Sequence, residues 1–249
     1  MAFLVAALCG SAGADSVSGN VDPFDLLRKA ESAYETVMDY TALFRRQERI
    51  GGELKPEETI FLKFKKPFKV YMRWLEGPHA GREAIYVKGA YGDKFLVHET
   101  GIFARFFVVA LDPAGAHVLE ESRFPVTEIG IGRLIERLAM DTRRAWKAEA
   151  PALRELGKSR SGRMEILEVE AALSKHLREE FSYSRITLGI DVASGLPVKA
   201  AFYDWDGYLV GRYSYENLRL NPGLEEAEFD PANPDYGFPR WRLELNNER

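Results

Sequence analysis

In the stretch Glu58–Trp74, ETIFLKFKKPFKVYMRW, apolar residues recur at every second position on both sides of a Lys66-Pro67 step. Ile60, Leu62 and Phe64 share one face against Thr59 and Lys63, with Phe61 breaking the polar side. Val70, Met72 and Trp74 then share one face against Lys69, Tyr71 and Arg73. A period of two places successive side chains on opposite faces of a strand, so these runs predict two half-buried neighbours in an antiparallel sheet. Proline lacks the amide a central strand needs, and the Lys66-Pro67 step is therefore the break between them.

Working outward, further strands are expected at Tyr40–Arg49, Arg82–Lys88, Lys94–His98 and Phe106–Leu111, separated by Gly51-Gly52, Gly77-Pro78, Gly92-Asp93 and Asp112-Pro113. Strand periodicity resumes at Met164–Ala171 and is clearest where Ile186, Leu188 and Ile190 alternate with Arg185, Thr187 and Asp191. Ser194-Gly195 and Asp206-Gly207 are hairpin turns that divide this strand from Val198–Trp205 and then from Leu209–Leu218. Two segments have helical spacing instead. In the first, Asp22 is placed to cap, Pro23 suits the first turn, and Phe24, Leu27, Ala30, Tyr34 and Val37 form one face. In the second, Ile131, Leu134, Ile135 and Leu138 recur at i, i+3, i+4 and i+7 and the stripe continues through Ala145 and Trp146. Arg133, Glu136, Arg137, Asp141, Arg143 and Arg144 occupy the opposite face. The order helix, strands, helix, strands with no dividing linker reads as one α+β domain.

Composition narrows the function. With 46% hydrophobic residues and 29% charged, the 249-residue chain can bury a substantial core. Its net charge of -4 gives no basic surplus to neutralise phosphates, so nucleic acid is not an expected partner. Met1–Ala14, MAFLVAALCGSAGA, reads as a signal peptide ending in the small-x-small site Ala12-Gly13-Ala14, which leaves residues 15–249 as the exported domain and the periplasm as its expected location. Cys9, the single cysteine, falls inside that leader, and Leu8 is too bulky for the position before a lipidated cysteine.

Recognisable chemistry is sparse. His79, His98, His117 and His176 are scattered without metal-ligand spacing, so no metal and no cofactor is expected. Gly130-Ile131-Gly132 lacks the third glycine and the lysine of a phosphate loop and reads as a helix entry. Asp204, Asp206 and Glu216 are candidates for a carboxylate acid/base set, but Asp206 is better explained by its turn with Gly207. With no nucleophile, base and oxyanion donor assembled, no catalytic residue is assigned and the chain is not expected to be an enzyme.

Several runs resemble the DUF1571 family: ERIGGEL at Glu48–Leu54, KPFKVYMRW at Lys66–Trp74, GREAIYV at Gly81–Val87 and EIGIGRLI at Glu128–Ile135. The wider pattern is similar to the LolA/LolB lipoprotein-carrier superfamily with its RseB-type sensors. That resemblance implies an incomplete antiparallel β-barrel wrapped over amphipathic helices, with an apolar cavity for acyl chains. It further implies that Lys66 stands where the carrier's arginine latches a helical lid, although lysine lacks the planar donor fork. Leu62, Phe64, Val70, Met72, Trp74, Ile131, Leu134, Ile135 and Leu138 are the candidate cavity residues. The expected function is a monomeric periplasmic protein that binds the acyl chain of a lipid or lipoprotein, as carrier or chaperone. The alternative is an envelope sensor or scaffold that binds a protein partner without lipid transport.

Overall fold

The alternating segments pair into one antiparallel sheet, as a computed structural model describes for residues 20–101, 107–148 and 153–239. The leader Met1–Ala14, Cys9 and Phe106 lie outside the described residues. In chain order the elements are β1 (Asn20–Val21), α1 (Pro23–Glu35), β2 (Asp39–Ile50), β3 (Glu53–Leu54), β4 (Glu58–Lys65), β5 (Lys69–Glu76), β6 (Glu83–Val87), β7 (Phe95–His98) and β8 (Val108–Leu111). There follow α2 (Ala116–Glu121), α3 (Ile131–Ala148), β9 (Leu153–Ser161), β10 (Met164–Ala172), β11 (Arg185–Asp191), β12 (Pro197–Tyr203) and β13 (Leu209–Leu220). The strands run β1-β9-β10-β11-β12-β13-β2-β4-β5-β6-β7-β8, with β3 paired on β2, and the end strands β1 and β8 do not meet. The expected incomplete barrel is what the chain forms. No described helix is long and apolar enough to cross a membrane.

Register turns the sequence pattern into continuous rows across the sheet. Tyr215 faces Phe44, Phe44 faces Ile60, and Ile60 faces Trp74. Ala42, Leu62, Met72 and Ala84 form the next row, and Tyr40, Phe64, Val70 and Tyr86 the one after. These inward side chains are buried with Ala30 of α1 and with Ile131 and Ile135 of α3, so the sheet wraps the helices. At the other end, Leu27, Leu138, Ala139 and Ala145 pack on inward residues of β9–β12. Asp22 Oδ1 accepts the Phe24 amide at 2.9 Å and starts α1, as its sequence position requires.

The N-terminus of α3 is set in place by tyrosines. Tyr40, fully buried, accepts the Ile131 amide on its hydroxyl at 3.1 Å. Burial pushes the Tyr40 and Tyr215 hydroxyls well up, and that of Tyr34 to about 12; the amides of Gly130 and Gly132, facing Tyr215 and Tyr34, pull the other way. Gly130 has φ +113, a conformation that L side chains rarely adopt, and a methyl group on Gly132 would lie 2.4 Å from Tyr34 Cε1. The Gly-Ile-Gly run is thus a helix entry with a steric purpose.

Outside the barrel, the segment after β13 crosses back over β4–β7. Leu224, Phe229 and Phe238 bury the outward faces of Tyr71, Ile85 and Leu96. Tyr236 stacks on Tyr71 with ring centroids 4.0 Å apart. Gly223 and Leu224 donate their amides to the Asp39 carboxylate at 3.1 and 3.0 Å, which fixes the strap where it leaves the sheet. Lys65 reaches the Leu224 carbonyl at 2.6 Å, Lys63 pairs with Glu228, and Lys69 with Glu226.

Gly132→Ala should destabilise the protein by about 2 kcal/mol, the cost of forcing a methyl group against a packed ring. Thermal or urea melts check this. The loss should shrink in a Tyr34→Ala background, and an equal loss in both backgrounds would rule out the close approach as its cause.

Candidate functional site

The concave face does not fill completely. Phe44 of β2, Ile60 of β4, Met72 and Trp74 of β5, Phe95 and Val97 of β7 and Leu111 of β8 form one wall of a cavity of about 280 Å³. Phe202 of β12 and Val210, Tyr213 and Tyr215 of β13 form another, while Val118, Phe124, Val126, Ile129 and Leu134 roof it from α2, the following connection and α3. These walls are apolar, which favours a hydrocarbon guest over water, whereas much of the remaining lining is charged.

One side of this space is closed by a charged network that ties the α2 segment to the sheet. Buried Glu58 accepts Arg46 Nε at 2.5 Å and Trp74 Nε1 at 3.1 Å, and lies 2.8 Å from His79 Nδ1. Arg46 also donates to Ser122 Oγ at 3.0 Å. Arg82 spends both terminal nitrogens on carboxylates, Glu121 and Glu99, each at 2.6 Å. Glu48 accepts Tyr213 Oη at 2.6 Å and the Arg123 amide at 3.1 Å. Burial pushes the Glu58 carboxyl up, but Arg46 and His79 overcome it and hold the group below its ordinary value; Arg82 does the same for Glu121. The buried Tyr213 hydroxyl, beside the Glu48 carboxylate, is pushed far up and stays protonated as a donor.

Of the residues singled out in the sequence, Met72, Trp74 and Leu134 line the cavity. Leu62, Phe64, Val70, Ile131 and Ile135 belong to the packed core around it, and Leu138 to the second core against α1. Lys66 Nζ donates to the Tyr34 carbonyl at 2.7 Å and to that of Glu35 at 3.4 Å, with its charge 4.3 Å from the Tyr34 ring centroid. It therefore holds the carbonyl end of α1, where a cation also suits the helix dipole. Sequence reasoning missed Phe44, Phe95, Val97, Leu111, Tyr213 and Tyr215, whose shared wall depends on register between distant strands. Among the former acid/base candidates, Asp204 Oδ1 accepts the Asp206 and Tyr208 amides at 3.0 and 2.8 Å, and Glu216 pairs with Arg45 at 3.2 Å.

The molecule is thus defined as an open antiparallel barrel with a cavity, apolar on its sheet walls, beneath two helices. The chain belongs to the DUF1571 family, proteins of unknown function, whose model matches residues 37–238. No curated protein matches the sequence. Among solved structures it is similar to the lipoprotein LppX of Mycobacterium tuberculosis, at 12% identity over 84% of this chain and 98% of that one, with a TM-score of 0.49. It is similar also to the MucA/MucB complex structure of Pseudomonas aeruginosa, at 16% identity and a TM-score of 0.46 over 84% of this chain, and spans 61% of the matched chain's length. A LolA superfamily protein of Nitrosomonas europaea matches at 12% identity over 84% of this chain and 98% of that one, with a TM-score of 0.39.

Glu58 and Glu121 have folded pKa values below their unfolded ones, so their contribution is complete above about pH 4.5 and is lost as pH falls through the lowered folded values. Thermal melts should therefore show Tm dropping steeply below about pH 4.5. Glu58→Gln leaves Arg46 without its closest carboxylate and should cost about 3 kcal/mol at pH 7. Its Tm should approach that of the wild type in acid, and parallel curves across the whole range would contradict this role for Glu58.

Proposed function

We propose that this protein is a periplasmic hydrophobic-ligand binding protein, a carrier or chaperone that holds the acyl chain of a lipid or lipoprotein in its cavity without chemical turnover. The observation that carries this reading is the roughly 280 Å³ space with apolar walls, kept open beside a fully packed core. Micromolar affinity corresponds to about 8 kcal/mol. About ten methylenes at ~0.8 kcal/mol each supply that amount before the cost of immobilising the guest. The polar network at one side explains how such a void persists, since the strands and the α2 segment are fixed to each other by charge-assisted hydrogen bonds instead of by filling the space between them. Lys66, on the carbonyl end of α1, would keep that helix over the barrel as a latch of one ammonium group.

The partner-binding alternative draws on β8. It ends the sheet, no described strand lies beyond it, and Val109 on it is exposed. Such an edge accepts an added strand from another chain.

Purified protein should take up a fluorescent fatty acid saturably, with release by unlabelled fatty acid. Leu134→Trp, which fills the roof of the cavity, and Leu134→Asp, which charges it, should each weaken uptake at least tenfold while leaving the far-UV circular dichroism unchanged. Binding indifferent to both substitutions would remove the cavity as the site. A stoichiometric protein partner recovered from envelope extract with no lipid bound would favour the β8 reading.

A further inference from the structure

The charged groups that line the cavity fall into two sets with different obligations. Arg46 and Arg82, on the sheet side, are committed: Arg46 to Glu58 and Ser122, Arg82 to Glu99 and Glu121. Arg123, Arg133 and Arg137, beside the α3 wall, line the same cavity with most of their donors uncommitted. A guanidinium has five N–H donors. Among the described residues Arg137 uses Nε alone, on Asp141 at 3.0 Å. Arg133 uses Nη1 on the exposed Glu136 at 2.6 Å, and Arg123 uses Nη1 on the Arg49 carbonyl at 3.0 Å.

Two of the three lie against aromatic rings. The guanidinium of Arg133 lies over Phe68 and that of Arg137 over Phe124, each 5.6 Å from the ring centroid. A cation–π contact draws on the charge of a guanidinium without consuming its N–H donors. Arg133 and Arg137 are one helical turn apart, about 6 Å along α3, and Phe124 joins them to Arg123 next in sequence. Glu48, which accepts the Arg123 amide, and the exposed Glu120 and Glu128 are carboxylates that also line the cavity. Arg133 and Arg137 each meet their own carboxylate, Glu136 and Asp141, through one nitrogen, so charge is balanced locally and what the three guanidinium groups offer is unpaired N–H donors.

We infer that the cavity takes an amphiphile with a single anionic head, a carboxylate or a phosphate, whose oxygens meet the free N–H edges of Arg123, Arg133 and Arg137 while its chain enters the apolar interior. Planar guanidinium donors match both oxyanions in bidentate fashion, which a neutral head cannot exploit. This inference rests on the acyl-chain reading of the cavity and adds the chemistry of the head.

The test uses the purified protein with the neutral apolar probe N-phenyl-1-naphthylamine, displaced in turn by dodecanoate, dodecyl phosphate and dodecanol. At least one anion should displace the probe at a concentration tenfold or more below that required of dodecanol, and the tighter of the two names the head. In the Arg133→Gln/Arg137→Gln variant that advantage should fall to within about threefold, with probe and dodecanol binding unchanged; Arg123→Gln, on an exposed loop residue, should give part of the same loss. Equal displacement by dodecanol and both anions in the wild type, or equal weakening of all three in the variants, overturns the inference and leaves the cavity standing. Failure of the probe and of every displacer to bind instead removes the acyl-chain reading itself.

Discussion

The seating of α3 on Tyr40 governs the arrangement of the interior. A helix that begins inside a protein brings unpaired amides with it, and an unmet buried donor costs about 1–3 kcal/mol. The Tyr40 hydroxyl meets the Ile131 amide, and the Tyr34 ring lies so near Gly132 that only a hydrogen fits there. Because Tyr40 sits on β2 and Tyr34 on α1, this contact fixes the helix against both the sheet and the other helix at once. The direction of α3 then decides which inward residues are covered and which are left to face empty space.

Two kinds of adhesion follow from that geometry. On the concave side, apolar rows pack against α1 and α3, and the remaining gap is bounded by the ionic ties of Arg46, Glu58, Arg82 and Glu121. On the convex side the lysines of β4 and β5 meet Glu226 and Glu228 of the strap, while Tyr71 lies against Tyr236. A thirteen-stranded sheet buried on both faces across β4–β7 thus obtains its second layer from an irregular segment.

The elements written by local pattern were legible. The Ser194-Gly195 and Asp206-Gly207 turns and the alternation at Ile186, Leu188 and Ile190 predicted β11–β13 within a few residues. The Ile131–Leu138 stripe predicted α3. β9 escaped because it is polar almost throughout, with Leu153 alone buried, and α2 because six residues are too few to display a period. Alternation places Tyr71 on the face it shares with Lys69 and Arg73, and the strap that buries it comes from more than a hundred and fifty positions downstream. Cavity walls were the least legible feature. Leu62 and Met72 carry the same alternating signature, and whether such a residue fills a core or borders a void depends on what reaches it from across the barrel. The arginines of α3 likewise show in the sequence only as the face opposite the apolar stripe, since nothing local records that Arg133 and Arg137 border the cavity.

The seam between β2 and β13 joins residues from the first fifth of the chain to residues from the last. Strands β4–β8 can zip onto β2 as soon as they exist, and β9–β12 can assemble as a meander, but the two halves have no shared edge until β13 arrives. Loop closure over such a span is slow, because its entropy is spent before any contact rewards it. During synthesis, half-sheets with bare inner faces must therefore wait for β13. The architecture makes this chain a natural client for holding chaperones until β13 is in place.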